Sequence, residues 1–188
     1  RMDKWYLEYA GGVQKDSVIF ESHHWDEYGE LIHYAESHDL TTDENYQLLS
    51  QMMDVDNYID YQIGEQFFRN YDWPANNLKA WKTRSDTSRW RWLFYDLDAG
   101  FGDVQYNMLE HATRNDPQVE YPNPPWSTAI FRSLLENEDF RNRFITRYAQ
   151  ILNGPFRPDR MVGVLEEIQS VYAPEVDEHS DRWHYPTS

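Results

Sequence analysis

Five carboxylate and carboxamide side chains in the middle of the chain have the types and the spacing to do chemistry. They are Asp72, Asn76, Asn77, Asp96 and Asp98. Oxygen atoms of such side chains are the ligands that Mg²⁺ and Ca²⁺ prefer in proteins. The sequence therefore predicts a divalent-cation site, provided that the fold brings these residues together.

A β-hairpin is predicted between the first three of these residues and the last two. Residues 78–82 form one strand in this interpretation, 83–89 a polar turn and 90–95 the return strand, whose side chains alternate with a period of two. From Asp72 to Asp96 the chain runs 96 − 72 = 24 residues. Because a hairpin of that length doubles back, we expect its two ends to lie close together.

The spacing of Asp72 and Asn77, five residues apart, also occurs in the catalytic loop of protein kinases. There the Asp accepts the proton of the acceptor hydroxyl and the Asn holds a metal ion. If the return strand continued, Asp96 and Asp98 would share a face and reach one metal ion. In the structural alternative, Asp72 caps a turn and Asn77 hydrogen-bonds to the backbone, while Asp96 and Asp98 pair with arginines.

The rest of the chain is predicted to be mostly helical, because its apolar residues recur at helical spacing. Thr41 or Thr42 is the predicted N-cap of a helix that ends near Met53, and Asp54 caps the next one. Three later helices are predicted: Ser127 to Leu135, one capped by Asn137 that Gly154 closes, and one from Pro158 to Pro174 with a core stripe of Met161, Leu165, Ile168 and Tyr172. The predicted class is α+β, mostly α-helical with a small antiparallel β-hairpin.

Residues 1–40 are predicted to be a partial N-terminal region with a small sheet, and residues 41–188 to be a single domain. Residues 5–9 form a strand or the end of a helix, and the apolar run 18–20 could pair with them. Residues 103–126 show no sustained period and hold four prolines. They predict a long loop, which is either a lid that recognises substrate or a tolerated insertion.

Histidines 23, 24, 33 and 38 fall among acidic residues but lack the spacing of zinc ligands, so they are predicted to lie on the surface. The chain has no cysteine, which excludes disulfides and thiol nucleophiles. It has no apolar run of about 18 residues, so no membrane span is predicted. Both ends break off inside ordinary sequence, and we expect a fragment of a longer protein.

The charge of the chain also restricts its partners. With 33 acidic and 17 basic residues, its formal net charge is −16. Duplex nucleic acid and anionic membranes are poor partners for such a chain, because both need lysines and arginines to neutralise phosphates. A cationic ligand, or an anion bridged by metal ions, fits better. The sequence indicates no oligomeric state.

Three motifs together resemble the CotH kinase family, which is named for a spore-coat protein. They are Asp54-Val-Asp-Asn-Tyr-Ile-Asp-Tyr, Asn70-Tyr-Asp-Trp-Pro-Ala-Asn-Asn and Trp90-Arg-Trp-Leu-Phe-Tyr-Asp-Leu-Asp-Ala-Gly-Phe-Gly. The similarity runs from about Met52 to Asn153, with helices after Phe131 that also resemble the family. It implies an atypical protein-kinase-like fold that transfers phosphate from ATP to serines of secreted or coat proteins, and hence an extracellular, cell-surface or coat location.

By the same resemblance, Asp72 would orient or deprotonate the acceptor hydroxyl. Asn77, or Asn76 as the close alternative, would match the metal-binding Asn, Asp96 the metal-binding Asp, and Asp98 a second ligand. The cofactors implied are Mg²⁺ and ATP, with Mg²⁺ bridging the carboxylates to the phosphates.

The resemblance covers the part of the family domain that corresponds to the C-lobe of a kinase. A complete kinase also needs a phosphate-covering loop and a lysine on the nucleotide. Gly11-Gly12 is not such a loop, and Lys4 and Lys15 have no context for that role. We therefore expect the fragment to be inactive alone. The alternative function is a non-catalytic extracellular or coat module that binds Ca²⁺, or binds carbohydrate through exposed aromatic rings.

Overall fold

The structure is a computed structural model, and it describes residues 3–21 and 27–184. The chain divides into two compact units, Arg1–Phe144 and Ile145–Ser188. The boundary between the units falls within one helix. The candidate residues all lie in the first unit.

Helices are the main regular structure of both units. The first unit contains α1 (Lys4–Tyr9), β1 (Val18–Glu21), α2 (Glu27–Ser37), α3 (Asp43–Met52), α4 (Val55–Phe68), β2 (Ala80–Thr83), β3 (Arg91–Trp92), α5 (Met108–Thr113), a 3-10 helix (Pro125–Thr128), α6 (Ala129–Glu136) and the start of α7 (Glu138–Leu152). The second unit contains the rest of α7, α8 (Pro158–Tyr172), a 3-10 helix (Ala173–Glu175) and α9 (Val176–Trp183). The predicted class is confirmed. Among the described residues no helix is long and apolar enough to cross a membrane.

The described strands form one antiparallel sheet in the order β1-β2-β3. The predicted hairpin is confirmed, with Ala80 opposite Trp92 and Trp81 opposite Arg91. The return strand is shorter than predicted, because β3 ends at Trp92 and residues 93–97 have no regular secondary structure. The alternation of side chains that the sequence shows over residues 90–95 therefore continues past the end of β3 at Trp92.

The pairing predicted within the N-terminal region is wrong. Residues 5–9 belong to α1, where the carboxylate of Asp3 caps the helix by accepting a hydrogen bond from the backbone N–H of Tyr6 at 3.2 Å. Strand β1 pairs with β2 instead, with Val18 opposite Thr83. A local helix cap thus outweighs the short apolar run as a structural signal.

Of the four helix starts that were predicted from a side-chain cap, three are confirmed and one is wrong; the predicted start at Pro158 is also confirmed. The side chains of Thr42, Asp54 and Asn137 accept hydrogen bonds from the backbone N–H groups three residues further on, at 3.4, 3.1 and 3.0 Å. Ser127 lies inside a 3-10 helix, and its hydroxyl donates to the carbonyl of Pro124 at 2.6 Å. Helix α6 begins at Ala129 without a side-chain cap.

Aromatic rings join α4 to the hairpin in the core of the first unit. The rings of Tyr58 and Trp92 lie 4.4 Å apart, and Trp92 Nε1 donates to Tyr28 Oη at 3.1 Å. Asn57 Oδ1 accepts a hydrogen bond from the backbone N–H of Trp92 at 2.6 Å, and the N–H of Asp54 donates to the carbonyl of Trp90 at 2.8 Å. These contacts fix α4 and β3 in one register, and the loops that follow each carry the candidate residues.

Two other predictions need correction. None of the residues of α8 is buried, and Leu165, Ile168 and Tyr172 of the predicted core stripe are exposed. Helical periodicity shows that a face is apolar but not that anything covers it. The segment 103–126 is not simply a loop, since it contains α5 and the start of a 3-10 helix.

The histidine prediction is confirmed where the structure describes it. His33 and His38 are exposed, and His38 stacks on the ring of Tyr34 at 3.9 Å. His23 and His24 lie outside the described residues.

Candidate active site

The segment after α4 begins with a tight turn that brings Asn70 into the core. Arg69 ends the helix in the left-handed conformation, with φ of 55°, and its N–H donates to the carbonyl of Glu65. The side-chain amide of Asn70 is buried. Its Nδ2 donates to Glu65 Oε2 at 2.9 Å and to the backbone carbonyl of Asp96 at 3.1 Å. Asn70 therefore links the end of α4 to the segment after β3.

Asn77 reinforces this link from the start of the hairpin. Its side chain is buried, and its Nδ2 donates to the carbonyl of Asp96 at 2.9 Å and to Asn70 Oδ1 at 3.2 Å. Two amides thus converge on the backbone oxygen of Asp96. The fold brings Asn77 and Asp96 together as predicted, but through a backbone carbonyl, which agrees with the structural alternative for Asn77. The amide oxygen Oδ1 is the atom through which Asn77 would hold a cation.

Asp96 adopts the left-handed conformation, with φ of 60°, and its side chain is exposed. A non-glycine residue in this region is uncommon, and such residues concentrate at functional sites. Asp98 is also exposed and lies in the next turn. Because the strand ends at Trp92, strand alternation does not place Asp96 and Asp98 on one face. Within the described residues neither carboxylate forms an ion pair, so the arginine partners of the structural alternative are not observed.

The turn that carries Asp98 packs closely on the end of α4. The backbone N–H of Phe101 donates to the carbonyl of Phe68 at 2.9 Å. A Cβ atom on Gly100 would lie 2.8 Å from that carbonyl oxygen and 2.9 Å from the carbonyl oxygen of Leu97. This close approach requires glycine. The turn is therefore held against the helix that also positions Asn70.

Asp72 lies in the loop before the hairpin and is half-buried. Its Oδ1 accepts a hydrogen bond of 2.5 Å from the hydroxyl of Tyr121, which lies 49 residues further along the chain. This hydrogen bond raises the pKa of Tyr121 to about 12. The N–H of Ala75 also donates to the carbonyl of Pro122 at 2.9 Å, so the two loops are joined by backbone as well. Asn76 follows in the same loop and is exposed.

Buried polar groups support the Asp72 loop from below. Trp73 is fully buried, and its Nε1 donates to Tyr61 Oη at 2.7 Å. His111 Nε2 lies 2.9 Å from the carbonyl of Trp73, and its Nδ1 lies 2.9 Å from Tyr106 Oη. Because a carbonyl only accepts, Nε2 carries the proton and Nδ1 accepts from Tyr106. Burial lowers the pKa of His111, against the opposing effect of the Trp73 carbonyl, which favours this neutral form.

Glu65 is the buried carboxyl group of the site. Burial raises its pKa to about 8, against the opposing effect of the hydrogen bond from Asn70. Its Oε1 has no hydrogen-bond partner among the described residues. An uncharged carboxyl group therefore lies under the junction of Asn70, Asn77 and Asp96 at neutral pH.

Arg69 supplies a positive charge at the beginning of the same loop. Its Nε and Nη1 are buried and make no hydrogen bond with a described residue. Its guanidinium lies 5.2 Å from the ring centre of Tyr106. The residue as a whole is only half-buried, and a guanidinium with uncommitted N–H groups is the kind of group that binds an anion such as a phosphate oxygen.

Sequence reasoning missed Asn70, Glu65, His111 and Tyr121 as parts of the site. Glu65 falls in a helix of otherwise ordinary pattern, and Tyr121 lies in the proline-rich segment. The one signal in the sequence was the length of that segment, which predicted either a lid or an insertion.

The site provides only some of the ligands that a bound cation needs. The described residues contain no group of three or more His, Cys, Asp or Glu side chains that could hold a metal ion. Two exposed carboxylates and an amide oxygen remain as oxygen donors, and these suit Mg²⁺, which keeps waters and takes ligands from phosphates.

The fold is that of a mostly helical domain. In its site, the loop that carries Asp72 and Asn77 is joined to Asp96, which follows the hairpin and has a left-handed backbone. The family described as CotH kinase protein matches the chain over residues 5–188. The chain belongs to the CotH kinase protein family. The match extends beyond the motifs of residues 52–153 in both directions. Searches of curated proteins and of solved structures gave no match.

Proposed function

We propose that this chain carries the acceptor-activating and metal-binding part of a kinase that transfers the γ-phosphoryl group of ATP to serine hydroxyls of coat or secreted proteins. The observation that carries the proposal is the junction of the Asp72 loop with Asp96. Two buried amides, one on either side of Asp72 in the sequence, hold the carbonyl of Asp96. This arrangement fixes the backbone that carries an acidic residue at each end of the hairpin.

Each residue has a definite task in this reaction. The serine oxygen forms a bond to the γ-phosphorus while the bond from that phosphorus to the β,γ-bridging oxygen breaks. Asp72 accepts the serine proton, and ADP leaves with the bridging oxygen. Asn77, Asp96 and Asp98 would hold Mg²⁺, which supplies charge neutralisation when bound. Arg69 fits a phosphate oxygen in the same region.

The proposed reaction needs nucleotide-binding groups in addition to these. Lys4 is committed to ion pairs with Glu8 and Asp16, at 3.5 and 3.4 Å. We therefore expect the 188-residue chain to be inactive alone and the parent protein to be the active form. The family name supports a coat-associated or cell-surface location for that protein.

Labelled ATP with Mg²⁺ and serine-containing protein acceptors tests the proposal on the full-length protein. We expect Asp72→Asn and Asp96→Asn to lower labelling about 100-fold or more, because each removes a group that acts in the transition state. Asp86→Asn is the matched control, since Asp86 is exposed at the opposite end of the hairpin. Equal labelling by the wild type and both site variants would exclude the kinase mechanism.

A non-catalytic binding module is the second candidate function. Trp5 and Tyr9 on α1 are exposed and stacked, with ring centres 4.8 Å apart and planes at 9°. Exposed rings of this kind bind sugar faces. Binding of polysaccharide that is lost in Trp5→Ala, together with absence of phosphotransfer, would favour this function.

A further inference from the structure

The hydroxyl group that contacts Asp72 belongs to the chain itself. Tyr121 Oη donates to Asp72 Oδ1 at 2.5 Å, and the side chain of Tyr121 is 51% exposed. A hydrogen bond to a carboxylate is short and strong compared with one between neutral groups. The contact therefore places a hydroxyl where the proposed mechanism needs the hydroxyl of an acceptor.

The backbone after Tyr121 is firmly held. The carbonyl of Pro122 accepts a hydrogen bond from Ala75, and the buried side chain of Asn123 donates to the carbonyl of His111. Asn123 Oδ1 also lies 3.2 Å from the hydroxyl oxygen of Ser127. The position of the Tyr121 backbone is thus fixed beside the Asp72 loop by buried contacts.

The residues before Tyr121 contrast with this anchor. Residues 114–118 are all exposed, and the turn there is closed by local hydrogen bonds such as Val119 N–H to the carbonyl of Asp116 at 3.1 Å. Because the ring itself is half exposed, rotation of the Tyr121 side chain away from Asp72 requires no change in the core. The contact with Asp72 can therefore break while the loop stays in place.

We propose that Tyr121 is a gate that occupies the acceptor-hydroxyl position at Asp72 and must be displaced when an acceptor binds. The proposal rests on the proposed kinase function, because only then does Asp72 receive an acceptor hydroxyl. A phenol and a serine hydroxyl cannot both approach the same carboxylate oxygen along the same direction. While Tyr121 occupies the site, only the molecules in which the site is open can bind the acceptor. The apparent affinity for the acceptor is therefore the intrinsic affinity multiplied by that open fraction.

The state of the phenol agrees with this role. The hydrogen bond to Asp72 raises the pKa of Tyr121 to about 12. The group is therefore protonated near neutral pH and always able to donate. Asp72 stays an acceptor in both states, first for the tyrosine and then for the serine of the acceptor.

Steady-state kinetics of the full-length protein test the gate. In Tyr121→Phe we expect the KM for a serine peptide to fall about 10-fold or more, the effect that corresponds to loss of one hydrogen bond to a charged group. The kcat and the KM for ATP should not change. Tyr172→Phe is the control, since Tyr172 is exposed on α8 and outside the site. An unchanged or higher peptide KM, or a fall in kcat, would show that Tyr121 is a spectator or a positioning residue.

A second measurement does not depend on turnover. In protein labelled with ¹³Cζ-tyrosine, the resonance of Tyr121 is the one missing from Tyr121→Phe. We expect this resonance to shift in Asp72→Asn, and to shift in the wild type when a serine peptide is added. Absence of the first shift overturns the contact, and absence of the second overturns displacement by the acceptor.

The two proposals fail in different ways. If the wild type labels no acceptor under any condition, the kinase function is excluded and the gate with it. If the wild type labels an acceptor and Tyr121→Phe has the same peptide KM, the gate alone is excluded. Label that appears on Tyr121 itself, with no change in peptide KM, would make it an internal acceptor rather than a gate.

Discussion

A carboxyl group lies uncharged beneath the candidate active site. Glu65 is fully buried, and burial raises its pKa to about 8 from an ordinary value of 4.5. The folded protein binds the carboxyl proton of Glu65 more tightly than the unfolded chain does. The contribution of this proton to the free energy of unfolding is therefore fully present below pH 4.5. It is lost as the pH rises from about 4.5 to about 8.

We therefore predict that Glu65→Gln removes a pH dependence of stability. In the wild type, the contribution of Glu65 to the free energy of unfolding should fall by on the order of 4 kcal/mol between pH 4.5 and 8. Gln keeps an oxygen that accepts from Asn70, so the variant should show a smaller slope and be the more stable protein at pH 8. Urea unfolding at several pH values measures this effect.

The exposed Glu167 on α8 provides the control for this measurement. Glu167→Gln should leave the slope of stability against pH as it is in the wild type. An identical slope in Glu65→Gln and in the wild type would mean that Glu65 is ionised in the folded protein.

At the scale of single residues, the sequence predicts chemistry where the signal is local. Asp72, Asn77 and Asp96 could be selected from spacing, and the fold brings Asn77 and Asp96 into contact through a backbone carbonyl. Glu65 and Tyr121 could not be selected. A glutamate in a helix is normally exposed, and the partner of Tyr121 lies 49 residues away.

The elements of the site are held by close backbone contact, and glycine makes one of these contacts. A Cβ at Gly100 would lie within 3.0 Å of two carbonyl oxygens, those of Phe68 and Leu97. Both oxygens belong to backbone, which cannot move aside as a flexible side chain can. The turn after Asp96 and the end of α4 thus act as one element.

We predict that Gly100→Ala lowers the free energy of unfolding by about 1–3 kcal/mol, because the methyl group overpacks this contact. Gly163→Ala is the matched control. A Cβ there has no atom within 4 Å, and Gly163 lies in α8, where alanine has the higher helix propensity. Thermal or urea unfolding of both variants tests the difference. A Gly100→Ala protein as stable as Gly163→Ala would show that the turn is loosely held.

At the scale of elements, the hairpin and most helix starts could be predicted from caps and periodicity. Thr42, Asp54 and Asn137 mark helix starts because a cap is a contact over three residues. The end of β3 could not be predicted, since the alternation of apolar residues continues after Trp92. The ladder stops earlier, and the left-handed backbone follows at Asp96. No sequence period reports such a change of backbone conformation.

The whole molecule carries a large negative charge. A net charge of −16 makes the compact state repel itself, and salt screens this repulsion. We expect NaCl to stabilise the protein modestly. Mg²⁺ should stabilise it further at equal ionic strength, because Mg²⁺ would bind the folded site as well as screen charge.

We predict an added stabilisation by Mg²⁺ of about 1.4 kcal/mol at ten times its Kd. The double variant Asp96→Asn/Asp98→Asn should lose this addition and keep the response to NaCl. Asp86→Asn should keep both responses. Melting curves in NaCl and MgCl2 of matched ionic strength measure the difference. If the wild type responds equally to both salts, the metal site is excluded, and a larger response to Ca²⁺ would favour the binding-module function.

The left-handed backbone at Asp96 also determines how this site can degenerate. Asparagine and glycine adopt positive φ more readily than other residues, and neither carries a carboxylate. A family member with either residue at this position would keep the carbonyl that Asn70 and Asn77 hold, and with it the fold around the hairpin. If Asp96 holds the metal ion of a kinase as proposed, such a protein would be a stable pseudoenzyme. Inactivation at this position therefore need not be accompanied by loss of structure, and inactive relatives can persist as scaffolds.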